Sequence, residues 1–529
     1  MLKPPPVKAK RPLRAHFPPR PTAARDSRLS GAWRNPWARR ATAVAVPALA
    51  ALPLALAMPR GPITTADALA TMIVGLLVGL IAGFALRSRW AMLAAPFTFV
   101  AVFELARLGT DGPTVDGIHI STYGFMALVV GRGIHGVLAL LPMVLGGALG
   151  ASLARRNTQQ GRSARRGWAR AGLYVRRGAV ALVGVVLVVL AVGIARPAST
   201  DRIVGADGDP LPGSIAELAQ VEIGGHELAM LIRGNSTDSP VLLFLAGGPG
   251  GSELGAMRRH LEALEQDFVV VTWDQRGTGK SYGALDPTST LTLNQAVSDT
   301  IEITNYLRDR FGKERIYLVG QSWGTILGVR AVQQHPELYQ AFVGTGQMVS
   351  PRETDRIFYQ DTLEWARQTG KDDVVATLTD IGPPPYPSIL SYEPLLSYEK
   401  DVYPYARNQN SEGEGQMSEN LFVEEYTLLE QIHIFAGVFD TFSVLYPQIQ
   451  EIDFREDATR LEVPVYLVQG RHEARGRAEL ANEWFEQLEA PSKKLIVLDT
   501  SGHRPLFEQP GPFNTVMTET VLAETQPGS

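Results

Sequence analysis

Cysteine is absent from all 529 residues, which excludes a disulfide framework, a thiolate zinc site and a cysteine nucleophile and leaves the compartment open. Acid is nearly absent from residues 1–40, where Asp26 stands alone among many prolines and basic residues from Lys3 to Arg40. Such an arm buries too little apolar surface to fold and reads as disordered. A nucleic-acid tail is the sharper reading, but the apolar run from Ala41 makes it the cytoplasmic flank of a membrane segment, so no nucleic acid is expected as partner. No acid or histidine cluster has metal-ligand spacing, and no metal or other cofactor is expected. A phosphate loop is missing too. Asp274-Gln275-Arg276-Gly277-Thr278-Gly279-Lys280-Ser281 ends like one, but Asp274 falls where its first glycine is required.

Hydrophobic residues make up 45% of the chain and charged ones 20%, a balance that suits membrane and globular parts combined. Apolar stretches at about 41–58, 67–86, 90–108, 134–154 and 178–195 predict about five transmembrane helices within residues 41–195. Tyr123 to Gly131 is apolar as well, but too short to cross alone before Arg132. A cleaved signal is not expected despite Ala55-Leu56-Ala57, since more spans follow. Loop charge gives the sidedness. Arg87 and Arg89 follow the second span, and Arg155, Arg156, Arg162, Arg165, Arg166, Arg170, Arg176 and Arg177 crowd the loop before the fifth, whereas Asp111 and Asp116 follow the third. Basic loops stay in the cytoplasm, so an odd number of crossings puts everything after Arg196 outside the cell membrane. Gly75, Gly79 and Gly83, like Gly146, Gly150 and Ala154, recur every fourth residue and offer faces for close helix approach. Glu104 lies inside a span with Arg107 one turn on, which leaves a local ion pair and a transport path both open. With no acidic or histidine relay beside it, a transporter is not expected.

Residues 196–217 read as a polar linker, after which strands and helices alternate. Val221 to Ile223 and Leu228 to Arg233 flank Gly224-Gly225 as a hairpin. Further apolar runs follow at Val241 to Leu245, Phe268 to Thr272, Ile316 to Val319, Phe342 to Val343, Val463 to Val468 and Leu495 to Leu498, with amphipathic helical stretches between several of them. The fold class predicted is α/β, a mostly parallel sheet with helices on both faces, whose core comprises residues 218–349 and 461–529. Residues 350–460 interrupt the alternation and read as a helical cap. The cap contains a near-repeat, Ser391-Tyr392-Glu393 and Ser397-Tyr398-Glu399.

Within the core, the strand from Ile316 stops at Gly320-Gln321-Ser322-Trp323-Gly324, and a helical stretch follows. The flanking glycines let the chain turn sharply and hold the Ser322 hydroxyl at the sheet edge. A glycine-flanked loop serine is the bland alternative. A serine nucleophile needs a base, and the base needs an acid to fix its tautomer; on a strand–serine–helix turn the order is Ser, acid, His. Of the four histidines after Ser322, His503 is the one beyond the last predicted strand, and it is the candidate base. Glu473, after the preceding strand, is the candidate acid, with Asp499 as competitor; His472 reads as a packing residue. Ala246-Gly247-Gly248-Pro249-Gly250-Gly251 follows the Val241 strand with backbone that a substrate can approach. The N–H groups of Gly248 and Trp323 are the candidate oxyanion donors.

Taken together, Gly247 to Gly251, Asp274 to Ser281, the Ser322 pentad and Ser501-Gly502-His503 resemble the proline iminopeptidase family of α/β-hydrolases over residues 220 to 525. The resemblance implies an α/β-hydrolase fold and serine-dependent removal of an N-terminal residue, often proline, from short peptides under a helical cap. It also implies that cap carboxylates hold the peptide's free α-amino group. Glu424 and Glu425, in the mostly apolar stretch Leu421 to Leu429 that reads as helical, are the candidates for that substrate contact, with a helix salt bridge as the other reading. Glu412, Glu414 and Glu419 read as solvated loop acids. This sequence departs from the family at Ala246, Gln321 and Glu473, where His, Gly and Asp are usual. A membrane-anchored serine aminopeptidase acting on short peptides is therefore expected. The alternatives are a carboxylesterase, lipase-type or amidase hydrolase of small acyl substrates, and a non-enzymatic receptor module.

Overall fold

The computed structural model describes residues 35–108, 117–156, 167–405 and 417–526. The basic arm up to residue 34, Asp111, Asp116, Arg162, Arg165, Arg166, Glu412 and Glu414 lie outside the described residues.

The first part is a helical bundle of α1 (Pro36–Ala57), α2 (Thr65–Leu86), α3 (Ala91–Arg107), α4 (Thr122–Leu128), α5 (Ile134–Arg156) and α6 (Gly167–Ala195). The separation expected between Tyr123 to Gly131 and the next span is corrected. A π turn over Val129–Gly133 joins α4 to α5 without a break. Arg132 does not interrupt the rod because Glu104 of α3 meets it at 3.3 Å. Glu104 also lies 3.6 Å from Arg107, which is the local ion-pair alternative.

Among the described residues, Pro36–Ala57, Thr65–Leu86, Thr122–Arg155, Ala171–Ala195 and Leu428–Ile449 are long and apolar enough to cross a membrane. These differ from the stretches read in the sequence. At 17 residues α3 rises about 25 Å, short of the roughly 30 Å of a hydrocarbon core. Leu428–Ile449, conversely, belongs to the cap.

The two glycine stripes meet each other. A Cβ on Gly75, Gly79 or Gly83 would collide with the carbonyl oxygens of Ala139, Met143 and Gly147, so α2 and α5 run parallel in near backbone contact. Their C-terminal ends meet where Arg155 Nε donates to the Arg87 carbonyl at 3.2 Å. The opposite end faces the second part of the molecule. There Arg60 pairs with Asp286 at 3.0 Å, and Glu393 accepts the N–H groups of Thr122 and Tyr123, each at 2.9 Å.

That second part is built on eight strands: β1 (Ile215–Ile223), β2 (His226–Gly234), β3 (Val241–Leu245), β4 (Val269–Trp273), β5 (Ile316–Gln321), β6 (Tyr339–Thr345), β7 (Val465–Gly470) and β8 (Lys493–Leu498). Their order is β1-β2-β4-β3-β5-β6-β7-β8. β2 is antiparallel to β1 and β4, and the other neighbours are parallel. Both faces are covered, so the central strands read as continuous apolar runs. In β3, Leu243 and Leu245 join the core on one face, and Leu242 and Phe244 join that on the other. Around the sheet lie α7 (Leu254–His260), α8 (Leu293–Phe311) and α9 (Trp323–Gln334).

Between β6 and β7 come α10 (Pro351–Thr369), α11 (Asp372–Ile381), α12 (Ile389–Leu396), α13 (Glu399–Val402) and α14 (Leu428–Leu445). The helix expected over Leu421 to Leu429 is corrected: α14 starts only at Leu428. Thr427 and Glu430 form a reciprocal capping box there, a start signal that outweighs the apolar run before it. After β7, α15 (Arg475–Gln487) leads to β8.

Candidate active site

β5 ends at Gln321 and α9 begins at Trp323, leaving Ser322 between them at φ 51° and ψ −117°. A side chain rarely adopts that conformation and must be held in it. Its N–H donates to the Thr345 carbonyl at 2.9 Å, and its own carbonyl accepts from Thr325 N–H at 2.8 Å. Both flanking glycines are needed for space. A Cβ on Gly320 would stand 2.7 Å from the Gly324 carbonyl oxygen, and one on Gly324 would collide with that of Leu245. The hydroxyl thus stands at the N-terminus of a 12-residue helix, where it donates to Met348 Sδ at 3.7 Å.

His503 lies on the loop after β8. Glu508 pins that loop by accepting from Gly502 N–H at 3.0 Å and Arg504 N–H at 3.1 Å. The His503 carbonyl accepts from Gln321 Nε2 at 3.4 Å, and a Cβ on Gly346 would stand 2.9 Å from His503 Cε1. The imidazole therefore borders the serine turn. Among the described residues no hydrogen bond joins Ser322 Oγ to the ring.

Glu473 follows β7 and is buried. Its Oε2 lies 2.7 Å from His503 Nδ1, and its Oε1 accepts from Ala474 N–H and Arg477 Nε, each at 2.8 Å. Burial is the largest influence on its proton affinity and would raise it, but His503 and Arg477 outweigh burial and take the carboxyl down to about 2. An ionised carboxylate only accepts, so His503 Nδ1 carries the proton and Nε2 is left to act as a base. The competitor Asp499 is instead an exposed partner of Arg471 at 2.8 Å. His472 stacks on Tyr405 with ring centroids 4.9 Å apart.

In the glycine loop, Gly247 N–H donates to Glu253 Oε2 at 2.9 Å and Gly251 N–H to the Gly247 carbonyl at 3.2 Å. Between them Gly248 sits at φ 138°, a conformation that favours glycine. Trp323 opens α9, where a backbone N–H has no acceptor one turn back.

The segment Asp274 to Ser281 braces these parts. Gln275 accepts from Trp323 Nε1 at 2.8 Å and donates to the Ala246 carbonyl at 3.1 Å, while Thr278 Oγ1 donates to the Gly250 carbonyl at 2.9 Å. Asp274 accepts from Tyr426 OH at 2.7 Å, and Lys280 Nζ donates to the Glu425 carbonyl at 2.9 Å and to Glu430 at 2.7 Å, so the same segment grips the cap.

Glu424 and Glu425 have a different place from the one expected. Glu424 pairs with Arg196 at 3.2 Å, and Glu425 accepts from Thr200 at 3.0 Å with Arg258 at 3.6 Å. Residues 421 to 427 are not helical, and these carboxylates meet the linker and α7. Sequence reasoning missed Arg477, although its spacing of four from Glu473 is that of a helical ion pair. It also missed Met348 and Glu508, which carry no local signal.

A profile of the α/β-hydrolase fold family matches residues 240–510. The chain belongs to the α/β-hydrolase family. A Bacillus subtilis (strain 168) protein, YbaC, named a probable aminopeptidase, is 30% identical over 313 residues, 58% of this chain and 97% of that protein. A Leptolyngbya boryana protein named a probable proline iminopeptidase is 26% identical over 51% of this chain and 83% of its own length. RutD of Cronobacter sakazakii, which carries a carbamate hydrolase name, is 25% identical over 53% and 89%. These matches make the chain a hydrolase with aminopeptidase-named relatives, joined to apolar helices able to cross a membrane.

Proposed function

We propose that this α/β-hydrolase is a membrane-anchored serine aminopeptidase of the proline iminopeptidase type. Ser322 is its nucleophile, His503 its base, Glu473 the acid that orients the base, and the N–H groups of Gly248 and Trp323 its oxyanion donors. The observation that carries this reading is the strained Ser322 turn bordered by an imidazole whose Nδ1 is tied to a buried, ionised carboxylate. In the reaction Ser322 Oγ rotates from Met348 toward His503 Nε2, loses its proton to that nitrogen and attacks the carbonyl carbon. The proton then passes to the leaving amine, and water hydrolyses the acyl-enzyme by the same route. No metal or cofactor enters any of these steps.

Ser322→Ala is expected to lower turnover of an aminoacyl amide and of a simple ester by at least ~1000-fold with an unchanged melting temperature. It should also abolish labelling by a fluorophosphonate probe. Labelling or hydrolysis that survives the substitution would assign the chemistry elsewhere, and a wild-type chain that never labels would favour a non-enzymatic module.

A carboxylesterase or amidase is the second reading, favoured by the engagement of Glu424 and Glu425 with Arg196, Thr200 and Arg258. Glu424→Gln and Glu425→Gln are expected to change ester and aminopeptide hydrolysis equally. A selective loss of aminopeptide cleavage would return them to the substrate site.

For the location we propose a hydrolase outside the cell membrane. Supporting it, Arg87 and Arg155 meet at one end of the bundle, while Arg60, Thr122 and Arg196 all touch the hydrolase at the other.

A further inference from the structure

The near-repeat in the cap has acids with two different partners. Glu393, near the middle of α12, binds the N–H groups of Thr122 and Tyr123 and so fixes the cap to the start of α4. Glu399, six residues on in α13, reaches the opposite way and pairs with Arg477 of α15. Arg477 is buried, with 12% of its side chain exposed, and its Nε lies 2.8 Å from Glu473 Oε1. It thus occupies one oxygen of the carboxylate whose other oxygen holds His503.

We propose that Arg477 and Glu399 are positioning residues that set how much of the Glu473 charge reaches His503, so that the seat of the cap bears on the base. This rests on the reading of Glu473 and His503 as acid and base. A carboxylate shared between a guanidinium and an imidazole gives less of its field to each than it would to one alone. Glu399 in turn draws part of the Arg477 charge away from Glu473. Removing Arg477 therefore strengthens the pull of Glu473 on the imidazolium, and removing Glu399 weakens it. Behind Arg477 lie Asp355, buried beneath the hydroxyls of Tyr392 and Tyr446, and Tyr403, whose hydroxyl donates to Asp361, itself paired with Arg475. On the side of the base loop stand Arg504, paired with Glu253, and Glu508, whose carboxylate holds the loop backbone. None of these bridges Arg477 to Glu473, so the two substitutions isolate the shared contact.

The test is the pH dependence of kcat/KM on an uncharged ester, measured on the full chain in detergent for wild type, Glu399→Gln, Arg477→Met and the double variant. Fluorophosphonate labelling and a thermal melt accompany each. The acid limb is expected to move to lower pH in E399Q and to higher pH in R477M, each by roughly 0.5–1 unit, and the double variant should follow R477M. Should R477M fail to fold, E399Q carries the test alone, because its carboxylate is partly exposed and its loss leaves the core filled. A melting temperature that falls in E399Q while the acid limb stays put would make the contact purely structural and overturn the inference. Movement of both limbs in one direction would overturn it as well. Absence of Ser322 labelling in the wild type would instead overturn the hydrolase mechanism, and this inference with it.

Discussion

Glu473 is buried, yet it is ionised, because Arg477 and the His503 ring beside it outweigh the burial that opposes its charge. At the residue scale this has a pH consequence with a definite sign. Its carboxyl is lowered from the ordinary 4.5 to about 2, so the stability that its charge contributes is complete above about pH 4.5 and is lost as pH falls toward about 2. The difference in urea midpoint between wild type and Glu473→Gln should be widest above pH 4.5 and should close through that window. A difference that stays constant down to pH 2.5 would mean that packing, not charge, is what the substitution removes. For activity, the amide cannot hold the imidazolium that forms during proton transfer, and a fall of kcat on the order of 10³ to 10⁴-fold is expected at neutral pH.

At the scale of elements, contacts between helices and loops matter more than any single donor. α2 and α5 touch through glycines, and apolar matching to lipid gives no drive for them to associate, so close packing has to supply it. Gly79→Val places its side chain against the Met143 backbone and should cost about 1–3 kcal/mol through overpacking. The expected readout is a lower melting temperature of the full chain in detergent with unchanged Ser322 labelling at low temperature. The same substitution at Gly172, where a Cβ meets nothing within 4 Å, is the matched control. At the other junction, Thr427 caps α14 and Lys280 ties Glu425 and Glu430 to the core. Thr427→Ala should destabilise the cap by about 1 kcal/mol. In a limited-proteolysis time course it should expose the cap before the core, and simultaneous cleavage of both would show that cap and core unfold as one.

The whole molecule is a hydrolase seated on the end of its own helical bundle. Cap residues Phe439 and Leu429 pack against Tyr123 of α4 and Ala68 of α2, so the cap is attached on its far side to the apolar helices. Protease added to intact spheroplasts should remove the hydrolase and leave a membrane-embedded fragment of the first part. Protection of the hydrolase until lysis would invert the orientation of the whole bundle, because the parallel run of α2 and α5 requires the intervening α3 to return the chain across and keeps the number of crossings odd. Because Arg60, Glu393 and Arg196 join the two parts, a hydrolase expressed from residue 197 onward should also melt at a lower temperature than the full chain.

The amino-acid sequence by itself determined what depends on near neighbours along the chain. Val241–Leu245 is a buried strand because every residue in it is apolar, and the serine turn is legible because Gly320 and Gly324 are the residues that such a turn requires. The parallel sheet with its covered faces follows from runs of that kind. Four of the helices able to cross a membrane were equally legible, since length and hydropathy are local properties. Pairings between distant residues were decided only by the tertiary structure. Nothing local states that Gly79 meets Met143, that Glu104 neutralises Arg132 and lets α4 continue into α5, or that Glu424 and Glu425 turn to Arg196 and Arg258. The spacing of Glu473 and Arg477 was readable, but the arrival of Glu399 on the same guanidinium was not. Charges and backbone surfaces take whichever partner the packing of the whole chain brings within a few ångströms, and that choice is made in space, not along the sequence.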